Sequence, residues 1–320
     1  MINLNGKKVL ITGATGFVGN WLARDILDKG AIVFSMSRKI PKKENLNKLC
    51  PLYDIYEKIN FLEADLKNYN DVEKVVSKIS PEFCFHLAAY LNPADDSPRE
   101  MFEINVKGTW NILEACKKSK VKYFISGSTF KVYGKQDTPF TEDLPSKGIS
   151  AYDVSKACAD LIVNSYSKRY DISTAVVRCS NIYGEGDFDS NGIIQETLLK
   201  VLNGETPIIN NRLAIRDFIY VRDICKAYIL VAENFDKENI KGEIFNFSTG
   251  VPISIADLYK KIIYAAGKDI EPIINEKLSK EDKRYMSSEK AKEVLGWNPE
   301  YSLEQGLKKT AEWYQKCLNK

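Results

Sequence analysis

The feature that most constrains this chain is a glycine-spaced turn, Gly13-Ala14-Thr15-Gly16-Phe17-Val18-Gly19, between an apolar run, Lys8–Thr12, and an amphipathic stretch, Phe17–Lys29. Glycines at such a junction let the backbone approach a pyrophosphate closely. The helix that follows aims N–H donors and the positive end of its dipole at the same point. A glycine pattern alone says little, but one lying between a strand and a helix marks the start of a dinucleotide-binding unit. Gly13, Thr15, Gly16, Phe17, Val18 and Gly19 are therefore candidate cofactor contacts.

The alternation continues. Strands are predicted at Ala31–Ser35, Asn60–Glu63, Phe83–Leu87, Tyr123–Ser126 and Ser173–Arg178, and helices at Asp71–Ile79, Arg99–Lys118 and Tyr152–Arg169. Strand–helix alternation with continuous apolar strands predicts an α/β Rossmann fold, a doubly wound parallel sheet covered on both faces. After Asn181 the pattern changes. A turn-rich stretch (Gly184, Gly186, Asp187, Asp189, Asn191, Gly192) leads into a helix at Ile194–Asn203. Strands follow at Phe218–Val221 and Glu243–Phe247, and helices at Ser254–Ala266 and Leu303–Leu318. The expected organisation is a Rossmann domain over 1–180 plus about 218–247. A smaller mixed α/β C-terminal lobe over 181–217 and 248–320 would bind substrate.

Composition excludes several classes. A net charge of +3 is too small to point to nucleic acid or a membrane surface. No apolar run approaches the roughly 18–20 residues that cross a bilayer. No signal-peptide core precedes the first strand, so a cytoplasmic protein is expected. The seven cysteines include no C-x-x-C pair and sit in apolar runs, as reduced thiols do. A single histidine argues against a zinc site, and no metal is expected.

The second strand runs into Met36-Ser37-Arg38-Lys39 with no carboxylate for a ribose 2′-hydroxyl. Arg38, with Ser37, suits a 2′-phosphate, which favours NADP over NAD. Asp65-Leu66, after the third strand, is placed to reach the adenine edge. Tyr152 and Lys156 stand four apart, on one helix face. An ammonium there is expected to lower the phenol's pKa, so that a phenolate can take a sugar hydroxyl's proton while hydride leaves for the nicotinamide. Lys156 can also hold the nicotinamide ribose. Thr129, ending Ser126-Gly127-Ser128-Thr129, offers a hydroxyl to the same substrate oxygen.

These motifs resemble the extended short-chain dehydrogenase/reductase family of nucleotide-sugar epimerases, dehydratases and reductases, over nearly the whole chain. The resemblance includes Phe85-His86-Leu87-Ala88-Ala89, Asn105-Val106-Lys107-Gly108-Thr109, Ser128–Gly134, Arg178–Gly184, Arg216–Asp223 and Leu295–Pro299. It is closest to the CDP-glucose and GDP-mannose 4,6-dehydratase branch. It implies cofactor contacts at Leu87, Ala88, Ala89 and Asn105. It implies substrate contacts at Tyr90, Ser128, Thr129, Phe130 and Lys131, with Asn181, Arg216 and Arg284 on the nucleotide diphosphate. At the third position after Arg284, where the family often has Asp, this chain has Ser287. His86 reads as structural.

One departure stands out. Dehydratases of this family carry an acid directly after the Ser/Thr, and it protonates the departing C6 hydroxyl. Here that position is Phe130, which cannot transfer a proton. The sequence therefore points to C4 redox chemistry on a nucleotide sugar: epimerisation, ketoreduction or oxidation. A 4,6-dehydratase is the alternative, with Lys131 or Tyr90 taking over the acid's role. A non-catalytic dinucleotide-sensing protein is a second alternative. The helices Arg99–Lys118 and Tyr152–Arg169 carry apolar residues beyond one buried stripe (Ile104, Trp110, Ile112, Leu113; Ala157, Leu161, Ile162, Val163), and the resembled family dimerises through this pair. A homodimer is expected.

Overall fold

The computed structural model describes residues 1–91, 97–188 and 192–319; Asp189 and Asn191 of the turn-rich stretch lie outside the described residues. Seven parallel strands form one sheet. In chain order they begin with β1 (Lys8–Thr12), β2 (Ile32–Ser37), β3 (Asn60–Glu63), β4 (Phe83–His86), β5 (Tyr123–Thr129) and β6 (Ser173–Cys179). Glu243–Phe247 closes the edge beside β6, and the order across the sheet is Glu243–Phe247, β6, β5, β4, β1, β2, β3. The expected doubly wound Rossmann sheet is what forms.

Strand periodicity explains why both faces are covered. Val9 and Ile11 point to one face, into a core with Leu22, Ile26 and Ile224. Leu10 points to the other, into a core with Val72, Val76, Ile112 and Phe124. Successive side chains of a strand alternate between faces, so only a run that is apolar throughout fits between two helix layers. The strand order reverses between β1 and β4, and the crevice outside the carboxyl ends of strands at such a point is where ligands bind.

Several boundaries differ from expectation. β5 runs on to Thr129, because every residue from Tyr123 to Thr129 pairs with β6. The helix expected at Arg99–Lys118 is three consecutive pieces: Pro98–Met101, a π-helical stretch Phe102–Lys107, and Gly108–Lys118. Wide turns of this kind often mark functional positions, and this one contains Asn105. Phe218–Tyr220 is a strand as expected, but it pairs with Asn181–Tyr183 outside the main sheet. The sequence reading assigned no helix to Val221–Glu233 or Glu289–Leu295.

The remaining strands are short. Ala214–Arg216 lies between Ile253–Ser254 and Asp282–Arg284, and Ile208–Ile209 pairs with Ile273–Ile274. Segments distant in sequence thus meet. Asp217, fully buried, joins them: its carboxylate accepts from the Ser248 hydroxyl and, at 3.1 Å, from the Met286 N–H. Burial pushes its pKa up to about 6, against these bonds. Among the described residues no helix is long and apolar enough to cross a membrane.

Candidate active site

A cleft of about 1040 Å³ opens at the carboxyl ends of β1, β4, β5 and β6, facing the small sheets. The glycine turn forms its floor. Gly13 has φ +78°, and a Cβ on it would stand 2.8 Å from the Ala88 nitrogen. A Cβ on Gly19 would stand 2.0 Å from the Gly13 carbonyl oxygen. Glycine is thus required at both places, once for dihedral angle and close approach, once for packing helix on turn. Gly16 caps the helix Phe17–Asp28 with no side-chain bond. The first N–H groups of that helix are left to a ligand, which fits a dinucleotide pyrophosphate. Gly13, Gly16, Phe17, Val18 and Gly19 line the cleft, and Thr15 is exposed beside them.

The other proposed cofactor contacts divide: Leu87 and Ala89 line the cleft, whereas Ser37, Arg38, Asp65 and Leu66 do not. Arg38 is exposed just past β2, where the Ser37 hydroxyl donates to the Lys39 carbonyl at 3.1 Å. Asp65 accepts from the Lys67 N–H at 2.9 Å and shapes the turn after β3. Leu66 is buried against Gly108, and its carbonyl accepts from Asn111 at 2.7 Å. The Ala88 N–H donates to the Thr12 hydroxyl at 3.2 Å.

His86 and Asn105 hold this wall together. The Thr109 hydroxyl donates to the Asn105 carbonyl at 2.6 Å, so it accepts from His86 Nε2 at 2.9 Å. His86 Nδ1 is then the acceptor for the Thr12 hydroxyl at 2.8 Å. Burial first, and Lys156 second, push the imidazole pKa down to about 3, which keeps the ring neutral. The Asn105 amide accepts from the Tyr90 N–H at 2.6 Å and donates to the Tyr90 carbonyl and the Ser155 hydroxyl, each at 3.0 Å. In this structure Asn105 positions the loop after β4 against the helix Ala151–Arg169.

That helix carries the central pair. Ser150 and Asp153 form a capping box at its start. Tyr152 therefore sits in the first turn and Lys156 one turn later, and both line the cleft. Lys156 Nζ donates to the Gly127 carbonyl at 2.7 Å. The expected lowering of the phenol pKa by Lys156 is reversed. Burial raises it, and Asp153, Cys179 and Asp160 add to that. Burial likewise depresses Lys156. The ammonium is spent on a carbonyl, and desolvation dominates.

The rest of the expected set divides. Ser128 and Lys131 line the cleft. Thr129 is half-buried and is not among the lining residues; its hydroxyl caps the turn Phe130–Tyr133 by accepting from the Lys131 N–H at 3.3 Å. Phe130 is placed elsewhere. Its ring is 4% exposed and packs with Val132, Tyr133, Phe140, Ala157 and Met286. Burial of the ring decides its direction, and the expected substrate contact gives way to a small apolar core. Asn181 and Arg216 line the cleft. Asn181 donates to the Asp217 carbonyl at 2.9 Å. Asp282 bridges the two arginines, 2.6 Å from Arg216 and 3.0 Å from Arg284. Sequence reasoning missed Gly127, Cys179, Tyr228, Gln195 and Tyr259, which also line the cleft. Gly127 and Cys179 had a signal, lying inside Ser126-Gly127-Ser128 and Arg178–Gly184. Among the described residues no cluster of His, Cys, Asp and Glu could hold a metal.

Comparison with known proteins places this geometry. Residues 10–310 match the family model described as GDP-mannose 4,6 dehydratase. The chain is 30% identical to a putative UDP-glucose 4-epimerase of Methanocaldococcus jannaschii, covering 95% of this chain and 97% of that one. It is 26% identical to the CDP-glucose 4,6-dehydratase of Salmonella typhimurium, over 97% and 91%. A solved dTDP-glucose 4,6-dehydratase from Bacillus anthracis, in complex with NAD, superposes with a TM-score of 0.81 at 27% identity, covering 97% of each chain.

Proposed function

Because the chain belongs to the GDP-mannose 4,6-dehydratase family, we propose that it is an NAD(P)-dependent enzyme performing C4 redox chemistry on a nucleotide-diphosphate sugar. The observation that carries this is one cleft holding the glycine turn, Tyr152 and Lys156 together. Tyr152 takes the C4 hydroxyl proton as a phenolate, a form that burial opposes and that neighbouring cations must stabilise, and the Thr129 hydroxyl steadies the same oxygen. The nicotinamide supplies a hydride acceptor at C4. Lys156 would stand beside the reaction, anchored on the Gly127 carbonyl. Arg216 and Asn181 hold the diphosphate, with Arg284 behind Asp282, in a lobe formed by 181–217 and 248–320. The reducing cytoplasm suits the buried thiols of Cys50, Cys84, Cys116, Cys179 and Cys225.

Chromatographic separation with mass spectrometry, after incubation with UDP-, GDP-, CDP- and dTDP-sugars, tests the reading, since an epimer shifts retention and the other products shift mass. Isomerisation, or loss or gain of two hydrogens, is the expected result. Loss of water would establish the 4,6-dehydratase reading instead, which the Salmonella relative's name favours. Cofactor binding without turnover across the panel would favour a sensing protein.

The exposed Arg38 favours NADP as cofactor. Arg38→Ala is expected to weaken NADP binding and leave NAD binding nearly unchanged, because only NADP has the phosphate. Fluorescence titration with both nucleotides measures it, and equal losses would sink the preference.

A homodimer is part of the same proposal, on a narrower basis than the sequence offered. Ile112, Leu113 and Val163 belong to the core. Trp110 and Leu161 remain outside it, 54% and 69% exposed, on the two helices expected to pair. Light scattering at micromolar concentration should return twice the chain mass.

A further inference from the structure

The charges of the cleft are mostly committed to one another. Arg216 and Arg284 share Asp282, and Lys156 is held by the Gly127 carbonyl. Lys131 is not. Its Nζ makes no hydrogen bond or ion pair with a described residue, and it stands 5.5 Å from the centroid of the Tyr152 ring. The turn Phe130–Tyr133 fixes it there, pinned on one side by the Thr129 cap and on the other by the buried Phe130 ring. We infer that Lys131 is a second cation serving Tyr152, its ammonium stabilising the phenolate alongside Lys156 whichever C4 reaction follows.

The inference rests on Tyr152 being the proton carrier. The groups facing Tyr152 show why one cation is too few. Asp153 and Asp160 on its own helix oppose a phenolate, as does Cys179 at the end of β6. Tyr228, from the helix Val221–Glu233, is also within electrostatic reach. Burial acts in the same direction. The nearby cations are Lys156, one turn along the same helix, and Lys131, 5.5 Å from the centroid of the Tyr152 ring. Lys131 is itself depressed by burial and by Arg284, while Asp153 supports its charge. An ammonium over the face of a phenolate ring at that centroid distance, in a partly solvated cleft, should shift its pKa by about one unit. Part-burial keeps that effect from being fully screened by salt.

Ultraviolet titration of tyrosinate in the cofactor-saturated enzyme, with Tyr152→Phe as the blank, measures the phenol directly. Lys131→Met is expected to raise its apparent pKa by about one unit. The acid limb of kcat/KM should move by the same amount, and Lys131→Arg should restore both. Lys131→Gln repeats the test should Met disturb folding. If the Met or Gln variant titrates like the parent, the proposal is overturned even where activity falls, since a purely structural role lowers rate without moving the phenol. A fully active Tyr152→Phe is a different failure. It would remove Tyr152 as the proton carrier and this inference with it.

Discussion

Tyr152→Phe is expected to lower turnover by about 10²–10⁴-fold, the usual worth of a positioned proton carrier, while the protein stays folded. The substitution removes one oxygen and keeps the ring, so packing at the start of the helix Ala151–Arg169 is preserved. Dinucleotide binding should survive, because the glycine turn and the N-terminus of Phe17–Asp28 are untouched. Steady-state kinetics with a converted nucleotide sugar, paired with cofactor titration, separate the two effects. A variant within tenfold of the parent would mean that another group moves the proton.

The second large effect is on stability. Arg178, on β6, donates to Asp160, on the helix Ala151–Arg169, at 2.9 Å, and their side chains are 4% and 2% exposed. The guanidinium also lies 4.7 Å from the centroid of the Tyr133 ring. Asp160→Asn leaves that cation buried without its counter-charge and should cost about 3–5 kcal/mol. In calorimetry this corresponds to a fall in melting temperature on the order of 10 °C. Replacing both residues, Asp160→Leu with Arg178→Met, should recover most of the loss, since an apolar pair of similar volume avoids desolvating charge. An unchanged midpoint in Asp160→Asn would show that water or a shifted side chain compensates.

What the sequence made legible was local. The glycine turn, the strand before it and the helix after it carry their signal within a dozen or so residues. Tyr152 and Lys156 are related by helix geometry alone. What escaped was set by tertiary direction. Phe130 occupies a position where the family places an acid, but a ring at that point finds Phe140, Ala157 and Met286 and turns away from the cleft. Ile112 and Val163 looked surplus on their helices because a single apolar stripe was assumed, whereas the sheet gives those helices a broad face to cover. Gly127 acts through its carbonyl, and no side-chain pattern announces a backbone acceptor. The π-helical stretch Phe102–Lys107 is likewise invisible to a reading based on a 3.6-residue period.

The position of Asp217 bears on how such a protein can be re-engineered. One carboxylate holds Ser248 from one stretch of chain and the Met286 backbone from a later one, directly beside Arg216. The surface that would choose the sugar nucleotide is therefore no cassette. A chimera importing only 181–217 from another enzyme would set a foreign loop against native anchors. One importing only 248–320 would do the reverse. Both grafts must travel together, with their shared carboxylate, for a transplanted specificity to arrive intact.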